Sequence, residues 1–238
     1  MDADATRGRI VEAAAELLAE GGREAVSTRA VSAAAGVQAP TIYRLFGDKQ
    51  GLLEAVAVHG IAEYLHSKTV RERDPDPVVD LRRGWDLHVG FGLEHPALYA
   101  LVFGEARPGV ESAAERQAAA VLAGMIRRVA AAGRLRVGEE RAAHLVHSTG
   151  RGVTLTLIGM APEQRDLDLS EFARESVISA ITTDGRGRTE AGAGSVATAV
   201  TLRALLPELT VLTDAERGLL REWLDRVAAE GRAAPRAS

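Results

Sequence analysis

His144 and His147 stand three positions apart in a stretch of helical periodicity, a spacing at which two imidazoles can share a metal ion. His59, Glu63 and His66 repeat the pattern at four- and three-residue steps, again on one helical face. Neither set has the HExxH form of a zinc peptidase, and neither has an assured third ligand close in sequence. Surface or packed histidines are the simpler reading, so no metal and no cofactor are expected. Covalent catalysis has less support still. The chain has no Cys, and its Ser, His and Asp residues are scattered without a nucleophile elbow. Gly185-Arg186-Gly187 follows no strand and is not a dinucleotide fingerprint. No enzymatic activity is expected.

The other chemistry on offer is electrostatic. Nearly all basic residues are Arg, with Lys49 and Lys68 the two lysines. Lys49 falls in the first turn of a predicted helix, where a cation opposes the helix dipole. A phosphate supplied from outside reconciles the two, because the helix N-terminus and the ammonium can hold it together. Just upstream, Gln38, Ala39, Thr41 and Arg44 are the outward positions of a short segment whose inward residues are Ile42 and Phe46. Tyr43 lies beside the apolar positions, yet its hydroxyl can reach a nucleic-acid backbone. Taken alone, such a Tyr is more often a core residue with a wet hydroxyl.

These residues need elements to position them. Ile10, Ala13, Ala14, Leu17 and Leu18 recur at three- and four-residue steps, which predicts an amphipathic helix over 6–19 that Gly21-Gly22 ends. Ser27 is placed to cap a short helix over 28–34, and Gly36 supplies a left-handed turn. A second short helix begins near Gln38-Ala39, with Pro40 in its first turn, and runs to Phe46. Gly47-Asp48 break the chain and Asp48 caps a longer fourth helix. Two helices of about two turns cannot stand alone. They require a shared core of Ile10, Ala14, Leu17, Leu18, Val31, Val37, Ile42, Phe46 and Leu53. That layout is a tri-helical helix-turn-helix, whose exposed helix suits the DNA major groove.

The run from Ile10 to Leu53 resembles the DNA-binding domain of the TetR family of bacterial transcriptional regulators. The matching pieces are Ile10-Val-Glu-Ala-Ala-Ala-Glu-Leu-Leu18, Ser27-Thr-Arg-Ala-Val31, Ala35-Gly-Val37, Thr41-Ile-Tyr-Arg-Leu-Phe46, Asp48-Lys49 and Leu52-Leu53. They cover about a fifth of the chain. The resemblance implies that Gln38 to Phe46 contains the recognition helix and that Thr28 and Arg29 lie near phosphates. It implies that Tyr43 and Lys49 hold the DNA backbone, and that the chain binds a palindromic operator as a homodimer. Its remaining helices would form a regulatory domain that responds to a small-molecule effector. Ser32 stands where the family usually has Ala, a change conservative in size.

Composition frames the rest. The 238 residues are 46% apolar, 26% charged and 4% aromatic, so a core of Leu, Val and Ala is expected, favouring packed helices over sheets. The net charge of -4 is not that of a nucleic-acid binder overall, and acidic residues slightly outnumber basic ones in the N-terminal segment. Local placement of charge must therefore carry any DNA binding. No apolar run reaches the roughly 18 residues of a membrane span, and Asp2 and Asp4 stand where a signal peptide carries positive charge. A soluble cytoplasmic protein without membrane partners is expected.

The predicted fold class is all-α. Its first domain is the N-terminal helix-turn-helix domain, 1–56, and its second a larger helical ligand-binding and dimerisation domain, 57–183. A Gly-rich linker over 184–195, C-terminal helices over 196–230 packed on the regulatory domain, and a tail over 231–238 complete the chain. Long Ala- and Leu-rich helices over 139–158 and 168–181 are the expected dimer contact. In the C-terminal pair, Trp223 is the expected anchor, with Leu219, Leu220 and Leu224 beside it, and Thr213 and Glu216 have capping-box spacing. The scarce large side chains Trp85, His88, Phe91, Tyr99 and Phe103 are the candidate wall of an effector pocket. His95-Pro96-Ala-Leu-Tyr99 also resembles a segment common in the regulatory domains of one TetR subgroup. Two other functions fit the same layout: an activator, or a small-molecule-binding helical protein that has lost specific DNA reading.

Overall fold

The computed structural model describes residues 3–70, 73–105, 109, 111–183 and 193–230, with the side chains of 63, 66–70, 193, 194 and 230 undescribed. Most of the expected linker (184–192) and the tail (231–238) lie outside the described residues, as do the side chains of Glu63 and His66. The helices are α1 (Ala3–Ala25), α2 (Thr28–Ala35), α3 (Ala39–Phe46), α4 (Lys49–Val70), α5 (Pro77–Glu94), α6 (Pro96–Phe103), α7 (Ala113–Ala131), α8 (Glu139–Ile158), α9 (Leu167–Ile181), α10 (Ala193–Leu205) and α11 (Asp214–Glu230). No strand occurs among the described residues. Leu135 and Thr182 form an isolated antiparallel bridge. The all-α expectation holds, with the tri-helical arrangement at the N-terminus and more helices after it.

Two compact units account for these helices. The first holds α1–α4 and α6, with segments 87–94 of α5, 113–120 of α7 and 154–158 of α8. Its N-terminal core buries Ile10, Ala14, Leu18, Val31, Ile42, Leu52, Leu53 and Val56. Leu17, Val37 and Phe46 pack against that cluster, so every core position predicted from the periodicity reaches it. Burying a side chain such as Ile10 or Ile42, 0% and 1% exposed, stabilises by about 1.5–3 kcal/mol before entropy is counted. A second cluster in the same unit joins Ala57, Ile61, Tyr64, Phe91, Tyr99, Val102, Phe103 and Ala114. Helix α6 serves both: Ala97, Leu98 and Leu101 pack on the N-terminal core, while Tyr99, Val102 and Phe103 enter the second. Its start at Pro96 follows from the missing N–H being harmless in a first turn.

The second unit contains the remaining parts of α5, α7 and α8 with α9, α10 and α11. Ion pairs tie its helices together. Arg82 makes a forked contact to Glu175, with N···O distances of 2.9–3.0 Å. Arg174 pairs with Asp86 and reaches Glu175 at 2.9 Å. Arg128 pairs with the buried carboxylate of Asp80 and also donates to the Asp74 carbonyl oxygen at 2.9 Å. Arg134 pairs with Asp76 at 2.6 Å. That hydrogen bond, with another from the Val78 amide, holds the Asp76 carboxyl below its usual range.

Helices α10 and α11 share a small core of Ala199, Leu206 and Leu224, with Leu202, Leu209, Leu220 and Val227 around it. Here the anchor differs from expectation. Leu220, Leu224 and Val227 recur at four- and three-residue steps and form the inward stripe. Leu219 and Trp223 are one position off that stripe and are 47% and 52% exposed. The capping box at the start of α11 is present: the Thr213 amide donates to the Glu216 carboxylate at 2.8 Å, and the Glu216 amide to Thr213 Oγ1 at 3.3 Å.

Candidate nucleic-acid interface

The turn between α2 and α3 is built by local chemistry. Ser27 Oγ accepts from the Ala30 amide at 3.2 Å and so caps α2. Gly36 ends it at φ 64, ψ 38, a left-handed conformation that costs a residue with a Cβ about 1 kcal/mol or more. The Val37 amide then donates back to the Ser32 carbonyl oxygen at 3.0 Å. Pro40 sits in the first turn of α3, where it removes no helical hydrogen bond. Gln38 precedes that turn and its side chain makes no capping bond, which leaves it to face outward.

α3 buries Ile42 and half-buries Leu45 and Phe46. On its other side Gln38 and Arg44 are exposed, Tyr43 is 53% exposed, and Ala39 and Thr41 are half-buried. Thr28 and Arg29 open α2, half-buried and exposed respectively. Asp48 Oδ1 accepts from the Gly51 amide at 2.7 Å and caps α4, which sets Lys49 in the first turn, half-buried. Gly51 is required there: a Cβ at that position would lie 2.1 Å from the Phe46 carbonyl oxygen. The outward side of α3 thus carries small flanks, the Tyr43 phenol and the Arg44 guanidinium, with the Lys49 ammonium at the start of α4. Such a surface can grip phosphates and present donors and acceptors to base edges.

Four of the five side chains proposed for an effector pocket meet in one group. His88, Phe91, Tyr99 and Phe103 are joined by Tyr64 of α4, which stacks on Phe91 with ring centroids 4.3 Å apart. His88 Nε2 and the Tyr99 hydroxyl are 2.8 Å apart, and the Tyr64 hydroxyl lies 3.3 Å from His88 Nδ1. A neutral imidazole donates one N–H and accepts one hydrogen bond, so it pairs with both phenols in either tautomer. Burial is the main reason the Tyr64 hydroxyl stays protonated far above its ordinary range. Trp85 is placed elsewhere, in the second unit, where its indole N–H donates to Ser170 Oγ at 3.0 Å. Tyr64 escaped the sequence reading because a single Tyr inside a long apolar helix carries no spacing signal of its own.

His144 and His147 border an open groove along α8 with Glu140, Arg141, Leu145 and Ser148. Among the described residues no group of three or more His, Asp and Glu side chains is arranged to hold a metal ion. Nor is any described helix long and apolar enough to cross a membrane.

Known proteins share this geometry. Residues 10–56 match the family model described as "Bacterial regulatory proteins, tetR family". A putative tetR family transcription regulator from Shewanella sp. PV-4 superposes with a TM-score of 0.60 at 20% identity, over 75% of this chain and 98% of that one. A protein with unknown function from Rhodococcus sp. RHA1 gives 0.63 at 22% identity, over 75% and 96%. A single-substitution variant of TetR from Acinetobacter baumannii AYE, solved in complex with minocycline, gives 0.56 at 23%, over 73% and 94%. Among curated proteins nothing matches the sequence. Identities this low establish the fold alone. Residues 10–56 therefore match the tetR-family model of bacterial regulatory proteins, within a fold shared with solved tetR-family regulators.

Proposed function

We propose that the protein is a ligand-responsive transcriptional regulator, a repressor, that binds a palindromic operator as a homodimer. The observation that carries this reading is the outward face of α3 with Lys49 beside it, held in a helix-turn-helix by matched caps. Gln38, Ala39, Thr41 and Arg44 face bases in this reading, and Thr28, Arg29, Tyr43 and Lys49 face phosphates. Leu145 on α8 and Leu167 and Phe172 on α9 support the dimer, being 39%, 59% and 75% exposed. A second copy covers such apolar side chains. The effector acts at the aromatic group around His88, the polar point of an otherwise apolar cluster. Helix α6 connects that cluster to the N-terminal core, so a shift at Tyr99 or Phe103 is felt at Leu98 and Leu101.

Selection of duplexes from a random pool by the purified protein tests the reading. An enriched inverted repeat is the expected result. No enrichment, with folded protein, favours the other reading, a helical binding protein that no longer reads DNA. The exposed acidic residues Glu12, Glu16, Glu20 and Glu24 along α1 are the observation on that side.

A further inference from the structure

Arg7, in the second turn of α1, holds its guanidinium carbon 4.9 Å from the centroid of the Phe46 ring. Phe46 is the last residue of α3, two positions after Arg44 and three before Lys49. Among the described residues Arg7 has no carboxylate partner; the ring is its contact. A guanidinium held over a ring face spends none of its N–H donors on a carboxylate, so they stay available to a phosphate. An arginine clamped by a carboxylate has spent those donors. Arg23 shows the contrast: it pairs with Glu105 at 2.8 Å and bonds Gln50 at 3.2 Å, which withdraws it from any DNA contact.

Charge along α1 is divided in the same sense. Glu12, Glu16, Glu20 and Glu24 are exposed further along the helix, and near its start Arg7 and Arg9 are exposed after the single acidic residue Asp4 of the first turn. Arg7 thus lies beside Phe46 at the end of α3, with Arg44 two positions before Phe46 and Lys49 three after, and the Asp48 carboxylate at the same corner accepts from the Gly51 amide. We propose that Arg7 is a further backbone-phosphate contact of the DNA surface, and that Phe46 is the residue that positions it. The contact is sequence-independent, and it rests on the DNA-binding reading above.

The test uses the full chain and two labelled probes, a random-sequence DNA duplex and the duplex enriched by selection. Arg7→Ala should weaken both by the same factor, about three- to tenfold at low salt, and lower the slope of log affinity against log salt by roughly one. Arg7→Lys should keep the slope, because the charge remains, while losing part of the affinity with the stack. Phe46→Leu keeps apolar mass in the core and leaves the Arg7 charge, so it should keep the slope and lose part of the affinity, as Arg7→Lys does. The double variant Arg7→Ala with Phe46→Leu should then lose little more than Arg7→Ala alone. Thermal unfolding of each variant separates binding from folding. An unchanged salt slope in Arg7→Ala, or a loss confined to its melting temperature, overturns the proposal while leaving the DNA-binding reading intact. A wild-type protein that binds neither probe overturns both.

Discussion

The two units of this protein are held by different forces. The N-terminal core of the first is almost wholly apolar; a Ser27 cap opens its α2, and glycines of positive φ, Gly36 and Gly47, end α2 and α3. The second unit is laced by arginine–carboxylate pairs between residues up to 93 positions apart. Local chemistry fixes angles between short helices within a few residues, which suits a surface that must match a groove. Long-range ion pairs join elements in a chosen register and, once partly buried, are costly to break singly.

The largest effect should come from breaking one such pair. Asp80 is 5% exposed, so Arg128→Ala leaves a buried carboxylate without its guanidinium and should cost about 3 kcal/mol. Chemical denaturation reads this directly, and a loss under about 0.5 kcal/mol would show the pair to be solvated. Next is the half-buried imidazole of the first unit. His88→Phe preserves bulk but removes a hydrogen-bond partner from two phenols, an expected loss of about 1–2 kcal/mol. A neutral result there would mean the Tyr64 and Tyr99 hydroxyls find equal partners elsewhere.

A smaller change should go the other way. Among the described residues the buried Ser32 Oγ of α2 has no hydrogen-bond partner. Ser32→Ala removes that hydroxyl and raises helix propensity, so stability should rise by about 1 kcal/mol. A drop in melting temperature would assign the hydroxyl a partner. This is the position where the TetR resemblance leads one to expect Ala.

The smallest expected effect is that of pH, and it sharpens the contrast between units. Hydrogen bonding from Arg82, then Arg174, holds Glu175 below its usual range against a desolvation cost, and Arg134 does the same for Asp76. Both are acids with folded values below the unfolded ones. Their contribution is therefore present above the unfolded carboxylate range and lost as pH falls through the folded values. Acid titration should weaken the second unit first, and Glu175→Gln should flatten the dependence. Hydrogen exchange resolved by segment would show otherwise if the N-terminal helices opened before it.

What could be read from sequence follows the same division. Ser27, Gly36, Pro40, Asp48 and the Thr213–Glu216 box act within four residues of their own helix ends, and each was legible. Ser112–Glu115 is a capping box of the same kind: the Glu115 amide donates to Ser112 Oγ at 3.1 Å and the Ser112 amide to Glu115 at 2.9 Å. It starts α7 at Ala113, and its spacing is plain in the sequence. By contrast, Arg82–Glu175, Tyr64–His88 and Arg7–Phe46 depend on which helices meet. Nothing in local spacing specifies that. The α3 face was visible as a pattern, whereas the roles of its residues rest on how a duplex lies against it.

The most direct measurement is therefore equilibrium binding of the wild-type protein to the selected duplex and to a scrambled duplex at one fixed salt concentration. The account predicts a preference of at least about a thousandfold, the lower range for specific DNA readers. It also predicts that Gln38→Ala, Thr41→Ala and Arg44→Ala reduce that ratio, while Lys49→Ala lowers both affinities together. A ratio near one for the wild type, or a ratio untouched by all three α3 substitutions, would contradict it.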